Sequence, residues 1–220
     1  MEKPKPSPGP IRASAPAKSK TVLTSSSNDG VIAPATGLFR RIDWISFWAV
    51  TLFTLVGYLY TVAPDLTLED AGELAVGSMY AGIPHPPGYP VWTLYTWLFT
   101  KILPFSNIAW RVAVSSGVAA AFSCGIAAIM ISRGSSLILE NIEWFKDLDK
   151  KSEEWICLVS AFVGGALLGF NGYIWSQAVI VEVYTLGVFS LMCTLVCLFR
   201  WTYSPQQLRY LYWAFFHFGL

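Results

Sequence analysis

The sequence predicts an all-α protein, a polytopic bundle of transmembrane helices, and three observations carry that prediction. Of its 220 residues 54% are apolar and only 13% charged, against about 25% charged in ordinary soluble domains. Mean hydropathy is +0.49, with ten Trp, ten Tyr and fourteen Phe. The apolar residues gather in runs of roughly 20, long enough to cross about 30 Å of hydrocarbon. Net charge is +1, so no global field points to nucleic acid or an acidic substrate.

Residues 1–39 are rich in Pro, Ser, Ala and Lys, as in KPKPSPGP. They predict a disordered tail, because such a segment buries too little apolar surface to order itself. Arg40 and Arg41 then abut WISFWAVTLFTLVGYLYTVA (44–63), the first span. Seven Lys/Arg precede it and none follows until Lys101, which predicts a cytoplasmic amino terminus. The run at 89–105, YPVWTLYTWLFTKILPF, is shorter, carries Lys101 and is flanked by prolines. RVAVSSGVAAAFSCGIAAIMIS (111–132) reads as a span rich in small residues, suited to close helix packing. Residues 133–154 are polar; WICLVSAFVGGALLGFNGYIW (155–175) and VYTLGVFSLMCTLVCLF (183–199) read as further spans, separated by a short interruption. LYWAFFHFGL (211–220) opens another apolar segment, too short as it stands to cross. The module at 40–220 is therefore expected to continue past Leu220.

Topology turns on 90–105. If this segment lies in the membrane interface, the basic residues of 133–154, Arg200 and Arg209 all face the cytoplasm, as the positive-inside rule favours. Glu182 then shares a face with the acids at 65–73. If it crosses, Glu182 is cytoplasmic. The four cysteines, Cys124, Cys157, Cys193 and Cys197, lie in apolar runs without metal-ligand spacing and read as small hydrophobes.

The polar interruption at LEDAGELAVGSMYAGIPHPPGYP (68–90) is the candidate site. Asp65, Glu69, Asp70 and Glu73 lie within nine residues without a base. Asp70 and Glu73 are three apart, so a helix sets both carboxylates on one face. The structural alternative is a capped helix, with Thr67 as N-cap and Asp70 at its third position. Pro84, Pro86, Pro87 and Pro90 exclude helix through the turn, and Gly88 allows close approach. His85 reads either as a ligand for a phosphate or acceptor, or as a ring that caps the next helix or packs on Tyr89. His217, in an apolar run, reads as packed. Glu182 lies at the edge of a span, where an ionisable group suggests function; pairing with Arg111 is the structural alternative.

The segment EDAGELAVGSMYAGIPHPPGYPVWTLYTWLFTKILPFSNIAWRVA resembles the first external loop of transmembrane protein 260 type protein O-mannosyltransferases and their bacterial relatives. That family's pattern is D-[SA]-G-E-L, a short apolar helix, H-P-P-G-Y-P, then an Arg opening the next span. Asp70, Gly72, Glu73, Leu74, His85, Pro86, Pro87, Gly88, Tyr89, Pro90 and Arg111 match it. WSQAVIVEVYTL matches a later W-x-x-[AI]-x-x-x-E-V-[YF]-x-L element through Trp175, Glu182, Val183 and Tyr184. The resemblance covers about residues 42–220. It implies a bundle of the glycosyltransferase C type, with juxtamembrane helices in an external loop after the first span. It also implies transfer of mannose or a similar hexose from a polyprenyl- or dolichyl-phosphate sugar to a protein Ser/Thr hydroxyl. Asp70 would be the general base, and Glu73 its neighbour in acceptor or metal contact. His85, Tyr89, Arg111, Glu182 and Tyr184 would bind substrate or donor. Glu69 stands where relatives often have Gly and carries no role. The chain also ends before later spans of the family pattern, so much of the donor site would lie outside it.

The chemistry fits these residues on its own terms. A hydroxyl attacking an anomeric carbon must lose its proton as the bond forms, and a nearby carboxylate can take it. The departing lipid phosphate needs a cation or imidazole, which Arg111 or His85 could supply. The expected partners are the bilayer, the lipid-linked donor and a protein acceptor, with no nucleic acid. No metal ligand is assigned, though a divalent cation stays open. A bacterial inner membrane or an endoplasmic reticulum membrane would suit equally. Two other classes compete: an ion-coupled transporter, whose acids would lie deep in interrupted helices, and a non-catalytic membrane assembly protein.

Overall fold

A computed structural model describes residues 37–67, 70–145 and 147–220. The expected tail lies outside these residues except at its end, where Leu38 is buried and Phe39 packs against Trp44. Glu69 also lies outside them.

The described chain is helical. Helix α1 (Arg41–Thr61) opens with the Asp43 carboxylate reaching back to accept from the Arg40 backbone N–H at 2.8 Å. It stops before Pro64, and Ala63 N–H then donates to Val179 C=O at 2.8 Å. Its inward face is Ser46, Phe47, Val50, Thr51, Thr54 and Tyr58, spaced by three and four. Its outward face carries Trp48, Leu52, Phe53, Val56 and Tyr60. An apolar exterior over an interior containing hydroxyls inverts the soluble pattern and suits a helix surrounded by lipid.

The loop that follows holds two short helices, α2 (Ala71–Tyr80) and α3 (Pro90–Ile102). Helix α4 (Ile108–Asn141) is the central element, packed against α1, α3, α5, α6 and α7. Its 34 residues span about 51 Å, so the helix continues well past the expected span at 111–132. Asn107 caps its start, accepting from Trp110 N–H at 2.8 Å. A 3-10 turn (Glu143–Phe145) leads to α5 (Lys150–Gly169), capped by Asp149.

The expected span at 155–175 is broken. Asn171 accepts from the Tyr173 and Ile174 N–H groups and starts a separate short helix, α6 (Gly172–Ala178). Helices α7 (Tyr184–Tyr203) and α8 (Arg209–Phe218) complete the described chain. Among the described residues four helices, α1, α4, α5 and α7, are long and apolar enough to cross a membrane. Helix α3 has 13 residues, about 20 Å, short of the roughly 30 Å of a bilayer core.

Small residues let α1, α4 and α5 approach closely. A Cβ on Gly125 of α4 would sit 2.0 Å from Thr51 Oγ1, and one on Gly165 of α5 2.7 Å from Val50. Tyr58, fully buried, donates its hydroxyl to Gly169 C=O at 2.8 Å and ties α1 to α5. The cysteines are free thiols, Cys124 and Cys157 buried and Cys193 and Cys197 half-buried. His217 packs its ring against Trp213 and Phe216, and its carbonyl accepts from the Ser190 hydroxyl.

The two ends of the bundle differ in chemistry. At one end Arg40 bonds Asp43 and Glu153, Ser132 donates to Asp43 at 2.6 Å, and Arg133 bonds Ser136. Arg200 lies over the Phe39 and Tyr210 rings there. The other end carries the acid-bearing loop.

Candidate functional site

Four helices begin around one apolar cluster at the acid-bearing end. Ala71 and Leu74 of α2, Trp92 of α3, and Ala109 and Val112 of α4 form it with Val181, and Leu186 of α7 packs on its edge. Trp92 Nε1 donates to the Glu182 carbonyl at 3.1 Å, and Ser116 Oγ donates to the same carbonyl at 3.2 Å. The sequence segments around 70, 90 and 182 therefore meet at one end of the bundle. Trp92 and Ser116 were not legible as site-building residues, since both lie in apolar runs and their partner is a backbone carbonyl far along the chain.

Helix α2 starts later than a Thr67 cap requires. Asp70 itself occupies the N-cap position, not the third helical position, and makes no side-chain cap bond. Its carboxylate is thus not engaged by its own helix. After α2 the chain reverses through Ala81, at φ 51°, and runs back along the helix. Pro84 comes within 3.6 Å of the position a Cβ on Gly77 would take, so the returning chain lies close against this helix face. Gly88, at φ 88°, and Tyr89, at φ 40°, then turn the chain into α3, which Pro90 starts. The φ of Gly88 favours glycine, and a Cβ there would lie only 3.0 Å from the Ile83 side chain.

This return delivers His85 to the first turn of α2. The Glu73 carboxylate accepts from His85 N–H at 2.6 Å through Oε1, and its Oε2 lies 3.2 Å from His85 Nδ1. His85 Nε2 lies 3.9 Å from Asp70 Oδ2. The imidazole also stands edge-on to Tyr89, ring centres 5.9 Å apart, as the packed reading of His85 expects. The Asp70, Glu73 and His85 side chains are 60%, 50% and 36% exposed, leaving the group open to a large substrate. Beside the turn lies an apolar recess of about 370 Å³, lined by Ile83, Pro87, Gly88, Pro90, Thr93 and Leu94.

One ligand atom each from Asp70, Glu73 and His85 lie within 4.8 Å of one another. Both Glu73 oxygens already face His85 N–H and Nδ1. No step of the chemistry is assigned to a metal.

The remaining expected residues are placed differently. Arg111 donates to the carbonyls of Thr100, Phe105 and Ser106 at 2.9 to 3.1 Å, fastening the end of α3 to the start of α4. Glu182 Oε2 accepts from Val183 N–H at 3.1 Å. Tyr184 opens α7, half exposed, its ring 6.5 Å from that of Tyr173. Trp175 donates from Nε1 to Thr61 Oγ1 at 3.1 Å and closes the end of α1 against α6.

Fold and site together define a polytopic helical membrane protein with a carboxylate–imidazole group at one end of its bundle. The chain belongs to the family described as Protein O-mannosyl-transferase TMEM260 N-terminal domain, whose model matches residues 70–220. It is 29% identical over 132 residues to the Dictyostelium discoideum protein named Protein O-mannosyl-transferase tmem260, covering 59% of this chain and 14% of that protein. It is 32% identical over 80 residues to the Mus musculus protein named Protein O-mannosyl-transferase TMEM260, covering 36% of this chain and 11% of that protein. The match thus spans only a small part of these relatives. No solved structure matches the chain.

Proposed function

We propose that this chain supplies the acceptor-activating part of a membrane glycosyltransferase. The enzyme moves mannose or a similar hexose from a polyprenyl-phosphate-linked donor to a protein Ser/Thr hydroxyl. One observation carries the reading: Asp70 is free of capping duty and stands beside His85 and Glu73 at the end of a membrane bundle. The names of the relatives support a mannosyl donor and a protein acceptor.

Asp70 is the general base. It takes the proton from the acceptor hydroxyl as the oxygen attacks the anomeric carbon, and the carbon–phosphate oxygen bond breaks with its electron pair left on the phosphate. With base and leaving group on opposite faces, the sugar's configuration inverts. Arg111 is occupied by three carbonyls, so the departing anion relies instead on positive helix ends. The N-termini of α2, α3, α4 and α7 all lie around the Leu74–Trp92 cluster, and aligned backbone N–H groups there favour an anion. Tyr89, Glu182 and Tyr184 border this region and are assigned to substrate contact.

In the membrane, the end holding Arg40, Arg133 and Arg200 faces the cytoplasm and the Asp70 loop faces the opposite side. A bacterial inner membrane or an endoplasmic reticulum membrane meets these requirements. The transporter reading finds little support in the buried acids. Asp43 is fully buried, but it is held by Arg40 and Ser132 at the first turn of α1.

Full-length protein incubated with labelled polyprenyl-phosphate mannose and acceptor peptides should yield covalently mannosylated peptide. Unmodified peptide under all donors would contradict the reading.

A further inference from the structure

We infer that Glu73 is not a second catalytic acid but the positioning residue of His85, and that His85 Nε2 receives the proton that Asp70 takes from the acceptor. This rests on the transferase reading for its second half. The first half stands on geometry alone.

A carboxylate accepts hydrogen bonds on both oxygens and donates none. Glu73 presents one oxygen to the His85 backbone N–H at 2.6 Å and the other to the ring Nδ1 at 3.2 Å. The backbone N–H can only donate, which fixes the carboxylate's orientation. The second oxygen then requires Nδ1 to carry a proton. In the neutral ring this leaves the lone pair on Nε2, the atom that lies 3.9 Å from Asp70 Oδ2. The Tyr89 ring, set at 85° to the imidazole, limits its rotation from another side. A base held by a hydrogen-bonded carboxylate, with its free nitrogen turned to the reacting group, is the arrangement that makes an imidazole an efficient proton acceptor.

The acceptor hydroxyl proton passes to Asp70 Oδ2 as the glycosidic bond forms. Asp70 then gives that proton to Nε2, since an imidazole is ordinarily more basic than a carboxylate. The imidazolium, facing Glu73 and the regenerated Asp70 carboxylate, loses the proton to water. At 3.9 Å the transfer needs a small rotation of the exposed Asp70 side chain or one bridging water, a looseness common in sites without substrate.

Two variants of Glu73 separate positioning from mere support. In Glu73→Gln the side-chain oxygen still accepts from the His85 N–H, but the amide now donates toward Nδ1. The ring answers by adopting the other tautomer, which places the proton on Nε2 and removes its lone pair. In Glu73→Ala both contacts vanish. Backbone hydrogen exchange reads the first contact selectively, because Pro84, Pro86 and Pro87 carry no N–H and His85 has the one exchangeable amide of Pro84–Pro87.

The experiment uses full-length protein in lipid nanodiscs, with exchange followed by mass spectrometry and transfer followed with polyprenyl-phosphate mannose. The His85 amide should exchange slowly in the native protein and in Glu73→Gln, and at least about tenfold faster in Glu73→Ala. Glu73→Gln should lose at least about tenfold in kcat with little change in KM. Fast exchange in the native protein would overturn the positioning contact. Protected exchange with undiminished kcat in Glu73→Gln would overturn the proton relay. If native protein transfers no sugar while the amide exchange behaves as stated, the transferase reading fails, the relay falls with it, and the contact stands.

Discussion

Asp70 shows how a single residue's duty depends on where its helix starts. A start at Thr67 would place Asp70 in the first helical turn as a capping partner; the observed start at Ala71 leaves its carboxylate without a cap bond. The D-x-x-E spacing made the shared face of Asp70 and Glu73 legible. What the pattern did not reveal is Glu73's partner, twelve residues along the chain. That contact depends on the backbone angles at Ala81, Gly88 and Tyr89, which the composition of the turn does not specify. Arg111 shows the same limit. Its position before a span suggested a phosphate ligand, whereas its guanidinium meets three carbonyls. Arg111→Ala should therefore destabilise the protein by about 1–2 kcal/mol, through lost charge-assisted hydrogen bonds. Thermal unfolding in detergent measures this. Unchanged stability with abolished transfer would instead place Arg111 on the donor.

At the level of elements, the apolar runs marked the long helices well and their boundaries poorly. Helix α5 ends where Asn171 captures the Tyr173 and Ile174 N–H groups, a local competition that hydropathy does not register. Removing this cap in Asn171→Ala should cost about 1 kcal/mol, read as a lower unfolding midpoint. Helix α3 is instructive for the opposite reason. Thr93, Thr96 and Thr100 are buried while Val91, Leu94, Leu98 and Ile102 face outward. Thr96 shares a 2.8 Å hydrogen bond with Ser78 of α2, so its hydroxyl is satisfied inside the loop module. Between the spans, shape decides. Gly125→Val should destabilise by about 3 kcal/mol or more, since even a Cβ meets Thr51 at 2.0 Å. A near-native unfolding midpoint would show that α1 and α4 pack less closely than described.

At the scale of the whole molecule, charge is sorted between the two ends of the bundle, and this much was readable from the positions of Arg and Lys along the chain. The meeting of segments 70, 90 and 182 was readable only as one of two threadings. It is built by contacts between distant segments, such as Trp92 with the Glu182 carbonyl and Ala63 with Val179. Cysteine placed at Lys101 should react with an impermeant reagent only from the side opposite the cytoplasm, and cysteine at Asp147 only from the cytoplasm. Labelling of both from one side would refute the proposed threading. The central claim is that the carboxylate at the start of α2 removes the acceptor's proton. Its most direct measurement is mannosyl transfer by full-length protein carrying Asp70→Asn, assayed beside donor binding. Donor binding near the native level with turnover reduced by at least about 100-fold is the predicted result; turnover close to native would contradict it.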